Sequence, residues 1–171
     1  MADIEIRPLE DSPAVRRALA EMLVEVVANG GSVNFMHPLP LETAEVAWAD
    51  WLAAAARGER IVLGAFDGET LAATVSLLPA PQPNQPHRAE IGKMMTRVSH
   101  RGRGLARALL QAAEVLARGQ GRSLLVLDTA VEDGAAGLYE KQGYSLAGII
   151  PDYAYKPHGG LTGSAFYYKR I

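Results

Sequence analysis

The residues best suited to binding or chemistry lie at positions 100–107, where HRGRGLAR runs into the apolar repeat LLQAAEVLA. Glycine lowers helix stability by about 1 kcal/mol inside a helix, so Gly102 and Gly104 belong just before one. The free N–H groups and the dipole at a helix start bind phosphate. The stretch therefore predicts a phosphate-binding loop, with an ordinary glycine-containing turn as the alternative.

The residues around this loop narrow the choice of phosphate ligand. A P-loop needs GxxxxGK[ST], and no lysine or hydroxyl residue stands in that place. A dinucleotide-binding loop needs GxGxxG, but Arg107 occupies the position of the third glycine. No aromatic residue is interleaved with the arginines and the net charge is −2, which disfavours nucleic acid. A pyrophosphate on a strand–loop–helix unit remains.

A carboxylate follows the most apolar strand of the sequence. In SLLVLDT (123–129), the run from Leu124 to Leu127 is continuously apolar, which predicts a strand buried on both faces. Asp128 then lies at the carboxyl edge of the sheet, where open α/β sheets keep their ligands. Asp128 is a candidate for binding an ammonium group or accepting its proton through water. The alternative is a cap for the following turn.

Helices and strands alternate along the chain in a way that can position these residues. Apolar spacing predicts helices over 13–28 and 41–57, and the first is capped by Asp11 or Ser12. Asp67-Gly68 predicts a hairpin. Further expectations are a strand over 87–99, a helix to about 118 with Glu114 on its solvated face, a helix over 133–142, a strand YSLAGII, a loop PDYAYKPHGG and a last strand LTGSAFYYKRI. We expect one α/β domain over 1–171.

Composition excludes several classes of protein. There is no cysteine, so thiol nucleophiles, thiolate metal sites and disulfides are excluded, and the four histidines lack metal-ligand spacing. We therefore expect no metal. No long apolar run predicts a membrane span, and the first residues are too acidic for a signal peptide, so a cytoplasmic protein without a membrane partner is expected.

Two motifs in order resemble those of a known family. Arg101-Gly102-Arg103-Gly104-Leu105-Ala106 resembles the [QR]-x-x-G-x-[GA] coenzyme A loop of the GNAT N-acetyltransferase superfamily, and LYEKQGY (138–144) resembles its second motif, L-Y-E-K-x-G-F. The stretches GGSVNFM, RAEIGKMM, RGRGLAR, LLVLDT and PHGG are similar to the tabtoxin-resistance-type acetyltransferases. The sequence departs from the family at Glu132, where an asparagine is common, and at Val98, where a proline is usual.

The resemblance implies a fold and a reaction. The GNAT fold is α/β, with a mixed, mostly antiparallel central sheet of about six to seven strands, flanked by about four helices and splayed at the coenzyme-binding strand. Acetyl-CoA would be the cosubstrate. It would be held by the backbone of Met94, Met95 and Thr96 and by the loop residues Arg101, Gly102, Arg103, Gly104, Leu105 and Ala106.

The resemblance also assigns roles in acetyl transfer to an amine. Tyr139 matches the general acid that would protonate the departing thiolate, and Glu90 lies in the strand where relatives place an active carboxylate. Glu90 and Asp128 are therefore the two candidate bases. The alternatives are a core aromatic residue for Tyr139 and a cross-strand partner for Glu90. Phe35, Met36, Asp128 and Tyr153 are expected to contact the acceptor.

Several functions remain open at this point. We favour acetylation of a small-molecule amine, in the service of resistance or detoxification, and a homodimer is one expectation because many relatives dimerise. The alternatives are a non-catalytic acyl-CoA-binding regulatory module, a protein N-terminal or lysine acetyltransferase, and nucleic-acid binding through the basic run 97–107.

Overall fold

The computed structural model describes residues 4–171. Within that range the strands are β1 Ile4–Pro8, β2 Ile61–Asp67, β3 Thr70–Pro79, β4 Arg88–Thr96, β5 Leu124–Ala130, β6 Ser145–Tyr155 and β7 Leu161–Arg170. The α-helices are α1 Pro13–Ala28, α2 Leu41–Ala56, α3 Leu105–Gly119 and α4 Ala136–Lys141, and Val98–His100 forms a 3₁₀ turn. The expected α/β class is confirmed.

The strands form one seven-stranded sheet in the order β1-β2-β3-β4-β5-β7-β6. All neighbours are antiparallel except β4 and β5, which are parallel and joined by the α3 crossover. Only Arg88–Glu90 of β4 pairs with β5, opposite Leu124–Val126. Beyond that point the two strands separate, which confirms the expected splay.

The helices cover both faces of this sheet. On one face α1 and α2 pack a core that contains Trp48, Leu23 and Met95. On the other face α3 packs Leu109 and Leu110 against the sheet. Neighbouring β2 residues alternate between these two cores, as the two-residue period of a strand requires. The two cores therefore cover opposite faces of the sheet, and β4 contributes Ile91 to one and Met95 to the other.

Sequence signals set the ends of the first helix and the first hairpin as expected. The Ser12 hydroxyl accepts a 3.2 Å hydrogen bond from the Val15 N–H, and Pro13 occupies the first helical position. Gly68 has φ of 59°, which the tight turn after β2 requires and glycine adopts without strain.

The structure corrects several expected boundaries. Pro151–Tyr155 were expected in a loop but belong to β6, because an edge strand tolerates a proline and a bulge with Asp152 at φ of 52° absorbs the irregularity. β4 ends at Thr96 rather than 99, and α4 begins at Ala136 rather than 133.

Two burial expectations were wrong. In β5 Leu125 and Leu127 face the α3 core and are fully buried, while Leu124 and Val126 on the opposite face belong to neither core and are partly exposed. Glu114 is buried inside α3 instead of solvated, because its carboxylate accepts hydrogen bonds from the Lys169 ammonium at 2.8 and 2.9 Å.

No helix in residues 4–171 combines the length and apolar character needed to cross a lipid bilayer.

Candidate active site

A cavity of about 750 Å³ opens where β4 and β5 separate. Its walls come from the segment between α1 and α2, from β4, from the loop before α3, from the end of β5 and from α4. The cavity brings together the three predicted catalytic residues, Tyr139, Glu90 and Asp128.

The glycine loop forms one end of this cavity. Gly102 and Gly104 have φ of 75° and 80°, a left-handed conformation that favours glycine, and Gly104 precedes α3 without a side-chain cap. The first N–H groups of α3 are therefore free to bind an anion. Predicted coenzyme residues that line the cavity are Met94, Met95, Thr96, Arg101, Gly102, Gly104, Leu105 and Ala106. These residues fit a pyrophosphate-bearing cosubstrate.

Arg103 is the one predicted coenzyme residue whose side chain is engaged elsewhere. Arg103 does not line the cavity, because its guanidinium donates a 2.8 Å hydrogen bond to Asp67 at the end of β2. His100 Nε2 lies 3.3 Å from the same carboxylate. The hydrogen bond from Arg103 is the main reason why the pKa of Asp67 lies below its ordinary value. Asp67 therefore anchors the loop from outside the phosphate end.

Tyr139 lies on α4 with its ring in the core and 5% of its surface exposed. Its ring packs against Tyr144 and Tyr167, with centroids 5.9 and 6.0 Å away. Burial, and secondarily the Asp128 carboxylate, raises the pKa of Tyr139 to about 12. The phenol is thus a neutral proton donor throughout the physiological pH range.

Glu90 and Asp128 lie on the two strands that diverge. Glu90 pairs with Val126 at the last parallel position, and Asp128 follows two residues later on β5. Both side chains retain solvent contact at the cavity mouth. Withdrawal of Glu90 from bulk water and then the charge of Asp128 raise the pKa of Glu90, partly offset by Arg88, Lys93 and Arg60. Two neighbouring carboxylates with different surroundings can divide proton binding between them.

β7 orients the Asp128 carboxylate. The Ser164 hydroxyl, itself buried, donates a 2.7 Å hydrogen bond to Asp128 Oδ2 and is also 3.3 Å from the Thr129 carbonyl oxygen. Nothing in the sequence near Asp128 predicts this partner, since Ser164 lies 36 residues later.

The predicted acceptor residues divide into two groups. Tyr153 and Asp128 line the cavity, whereas Phe35 and Met36 do not. The Phe35 ring packs edge-on against Trp51, with centroids 6.2 Å apart, and Met36 is half exposed. Neighbours of Phe35 in the same segment, from Gly30 to Asn34, do reach the cavity.

Glu132, the residue that departs from the family motif, also lines the cavity. Its carboxylate accepts a 2.9 Å hydrogen bond from the Lys156 ammonium, which follows β6. The adjacent Asp133 accepts a 3.2 Å hydrogen bond from the Ser32 N–H. Glu132 and Asp133 therefore join the end of β5 to two other walls of the cavity.

The sequence also does not single out Lys93, which lines the cavity. Lys93 lies in a bulge of β4 with its side chain half buried, and its ammonium is 5.3 Å from the centroid of the Trp51 ring. The local signal was a charged residue after Gly92 that interrupts the apolar pattern of RAEIGKMMT.

A cavity lies between two diverging strands, a helix that begins after a glycine stands at one end of it, and two carboxylates and a tyrosine line it. This is the arrangement of an acyl-coenzyme A-dependent transferase. The family model described as acetyltransferase (GNAT) family matches residues 22–144, and the chain belongs to this family.

Solved structures share this fold over nearly the whole chain. A ribosomal-protein-alanine N-acetyltransferase from Brucella melitensis is 22% identical, with a TM-score of 0.82, and covers 98% of this chain and 99% of its own. A putative acetyltransferase from Salmonella typhimurium, solved with its cofactor acetyl-CoA, is 18% identical, with a TM-score of 0.80 over 98% and 94% of the two chains. Together with the family membership, this supports acetyl-CoA as the cosubstrate.

A curated relative matches part of the chain. N-acetyltransferase 8B from Homo sapiens is 35% identical over 82 residues, which is 47% of this chain and 36% of that relative. The chain thus spans about a third of that protein. The narrower resemblance to tabtoxin-resistance-type acetyltransferases stays a prediction.

Proposed function

We propose that this protein transfers the acetyl group of acetyl-CoA directly to the primary amine of a small molecule, in a resistance or detoxification role. The observation that carries the proposal is the convergence of Glu90, Asp128 and Tyr139 in one cavity whose far end is the glycine-opened start of α3. Cosubstrate and acceptor would meet between the diverging strands.

The reaction removes two protons from the acceptor nitrogen and gives one to the leaving thiolate. The acceptor arrives as an ammonium ion, so its first proton passes to Asp128 or Glu90. The neutral nitrogen then forms a bond to the acetyl carbon, and when the carbon–sulfur bond breaks the nitrogen loses its second proton to solvent. The departing thiolate takes a proton from the Tyr139 hydroxyl, which solvent restores, so the net products are the amide, CoA and one proton. The chain has no cysteine that could carry the acetyl group, so the transfer from acetyl-CoA to the amine would be direct.

Protonation of Asp128 and proton donation by Tyr139 are electrostatically coupled. The charge of Asp128 is one of the causes that raise the pKa of Tyr139. A proton that arrives at Asp128 removes this charge, so the pKa of Tyr139 falls towards its ordinary value as the thiolate forms. Deprotonation of the acceptor would thus make Tyr139 a better acid at the moment when the leaving group needs its proton.

Calorimetric titration with acetyl-CoA, followed by measurement of CoA release with a panel of amines, tests the proposal. We expect micromolar binding and turnover with at least one small amine. A matched arm uses peptides that begin with alanine, since one relative in fold is named for a ribosomal-protein alanine. Turnover with these peptides alone would favour a protein N-terminal acetyltransferase, and binding without turnover of any amine would favour a regulatory module.

A further inference from the structure

The acceptor side of the cavity contains a lysine in an unusual backbone conformation. Between β3 and β4 the register shifts from Thr74 opposite Met95 to Ser76 opposite Gly92, so two residues of β4 bulge opposite Val75. Lys93, one of the two, has φ of 50°, which costs free energy for a residue other than glycine. Bulges of this kind re-aim a side chain and are frequent beside active sites.

The Lys93 ammonium and a second cation each lie beside the same tryptophan ring. Lys93 Nζ lies 5.3 Å and the Arg60 guanidinium carbon 5.6 Å from the centroid of the Trp51 ring. Both side chains are half buried. Burial and then the nearby Arg60 charge lower the pKa of Lys93, and burial also lowers that of Arg60. Each cation thus lies beside Trp51 where hydration is reduced, and of the two Lys93 is the one that lines the cavity.

These cations lack the direct ion pairs that others near the cavity have. Arg97, Arg103 and Lys156 each have a carboxylate within 3.1 Å. Across residues 4–171, neither Lys93 nor Arg60 has a carboxylate oxygen within the 4.0 Å that defines an ion pair. Their charge is partly balanced at longer range by Glu90, and for Lys93 also by Asp128. A bound anion would complete this balance.

The cavity lining is therefore bipolar. Glu90 and Asp128 present negative charge at the mouth, and Lys93 presents positive charge from the same strand as Glu90. A ligand with an ammonium group at one end and an anionic group at the other matches this pattern. A polyamine would place a positive group against Lys93 and Arg60 instead, at an electrostatic cost.

We propose that the acceptor is a small zwitterionic amine of the amino-acid type, whose carboxylate or other anionic group is bound by Lys93, with Arg60 reinforcing the positive charge. This rests on the proposed acetyl transfer and names its substrate class. Lys93 is the specificity-determining residue, while Glu90 and Asp128 bind the ammonium that loses its proton before attack.

The test is CoA release, with product masses, on paired amines that differ only in the anion. The panel contains the standard α-amino acids, their carboxamides, aminomethylphosphonate, spermidine, kanamycin and a C-terminally amidated alanyl peptide. We expect turnover of at least one amino acid or phosphonate, with kcat/KM roughly 100-fold below this for the matching neutral amide, as expected for loss of a buried charge-assisted contact.

Variants assign the discrimination to Lys93. Lys93→Gln should lower kcat/KM for the anionic amine at least tenfold while changing that of its amide little, so that the ratio collapses. Arg60→Gln should reduce the ratio less, and Lys141→Gln, an equal charge change on exposed α4, should leave it unchanged. Acetyl-CoA affinity measured by calorimetry should be the same in all of them, which shows that the variants are folded.

Other outcomes separate the two proposals. Turnover of amides, polyamines or the amidated peptide as efficient as that of any amino acid overturns the zwitterion proposal and leaves acetyl transfer standing. An unchanged ratio in Lys93→Gln likewise overturns it. Acetyl-CoA binding with no turnover across the whole panel overturns both.

Discussion

The Ser164 hydroxyl on β7 donates a 2.7 Å hydrogen bond to Asp128 Oδ2 on β5, across two neighbouring antiparallel strands. The bond restricts rotation of the Asp128 carboxylate and leaves its other oxygen, Oδ1, free of this contact. Ser164 is thus a positioning residue for one of the two candidate bases.

Replacement of this serine tests whether Asp128 works in the reaction. A hydrogen bond to a charged group contributes about 1.5–3 kcal/mol, so Ser164→Ala should lower kcat roughly tenfold or more. Thr162→Val removes a hydroxyl from the same strand and the same cavity wall and should have little effect, because within residues 4–171 the Thr162 hydroxyl bonds the neighbouring Gly163 carbonyl oxygen and neither carboxylate of the site. Equal rates for Ser164→Ala and the unmodified protein would show that Ser164 does not position a catalytic carboxylate.

Tyr139→Phe should reduce kcat by about 10²–10⁴, the range that general acid catalysis contributes, while the Kd for acetyl-CoA stays within a few-fold. The phenyl ring preserves the packing against Tyr144 and Tyr167, so folding should be unaffected. Tyr167→Phe is the matched control, because its hydroxyl bonds Glu140 rather than lining the cavity. Steady-state kinetics and calorimetry measure both quantities, and a Tyr139→Phe enzyme with normal turnover would exclude the acid role.

Glu90 should titrate above the ordinary pKa of a glutamate, because limited hydration and Asp128 both favour its neutral form. Asp128→Asn removes a negative neighbour and should lower this pKa, whereas Arg88→Gln removes a positive neighbour and should raise it. The carboxyl carbon of Glu90, followed by NMR over an acid titration of the free protein, reports both shifts whether or not the variants are active. A midpoint that does not move in Asp128→Asn would show that the two carboxylates are not coupled.

The left-handed conformation of Gly104 should be needed for acetyl-CoA binding. A β-branched residue there costs more than the 1–2 kcal/mol typical of this region, so Gly104→Val should weaken binding roughly tenfold or more. Gly104→Asn should retain more affinity, because asparagine tolerates this conformation, as Asn34 does at φ of 75°. Gly119→Ala in the same helix should not affect calorimetric affinity, and equal affinity for the Val and Asn variants would contradict the backbone argument.

Lys169→Met should destabilise the fold by about 3–5 kcal/mol, because it leaves the buried Glu114 carboxylate without its two short hydrogen bonds and with the exposed Arg118 guanidinium, 3.9 Å away, as its remaining ion-pair partner. The Glu114 side chain is 7% exposed, and the Lys169 ammonium also donates to the Gln142 carbonyl oxygen at 2.7 Å. The double variant Glu114→Leu/Lys169→Met should recover most of the loss, since apolar groups can replace a buried pair. Urea unfolding measures each free energy, and a loss below about 1 kcal/mol in Lys169→Met would mean that Glu114 is hydrated or neutral.

The sequence predicted the elements whose stabilising contacts lie within a few residues along the chain. The Ser12 cap, the apolar face of α1 and the turn at Gly68 were readable because their partners lie within a few residues. The glycines before α3 were readable for the same reason. The extension of β6 was missed because Pro151 indicates a loop unless the strand is known to lie at the sheet edge, which depends on the pairing of the whole sheet.

Contacts between distant residues were beyond the sequence. Glu114 has the spacing of a solvated helix residue, and the hydrogen bonds that make its burial tolerable come from Lys169, 55 residues later. The position of Lys93 and Arg60 beside one ring depends on a bulge in β4 and on the place of Trp51 in α2. The Arg103 side chain was predicted to bind phosphate because the sequence does not show its hydrogen bond to Asp67, which lies 36 residues earlier in the chain.

The segment between α1 and α2 and the turn between β6 and β7 are joined to each other. The His37 N–H donates a 2.9 Å hydrogen bond to the Pro157 carbonyl oxygen, and His158 Nε2 lies 3.0 Å from the Ala28 carbonyl oxygen. For protein engineering, these two stretches should be treated as one structural unit. Grafting one of them from a relative would break the hydrogen bonds between the two, so a change of specificity by loop exchange requires that both be replaced together.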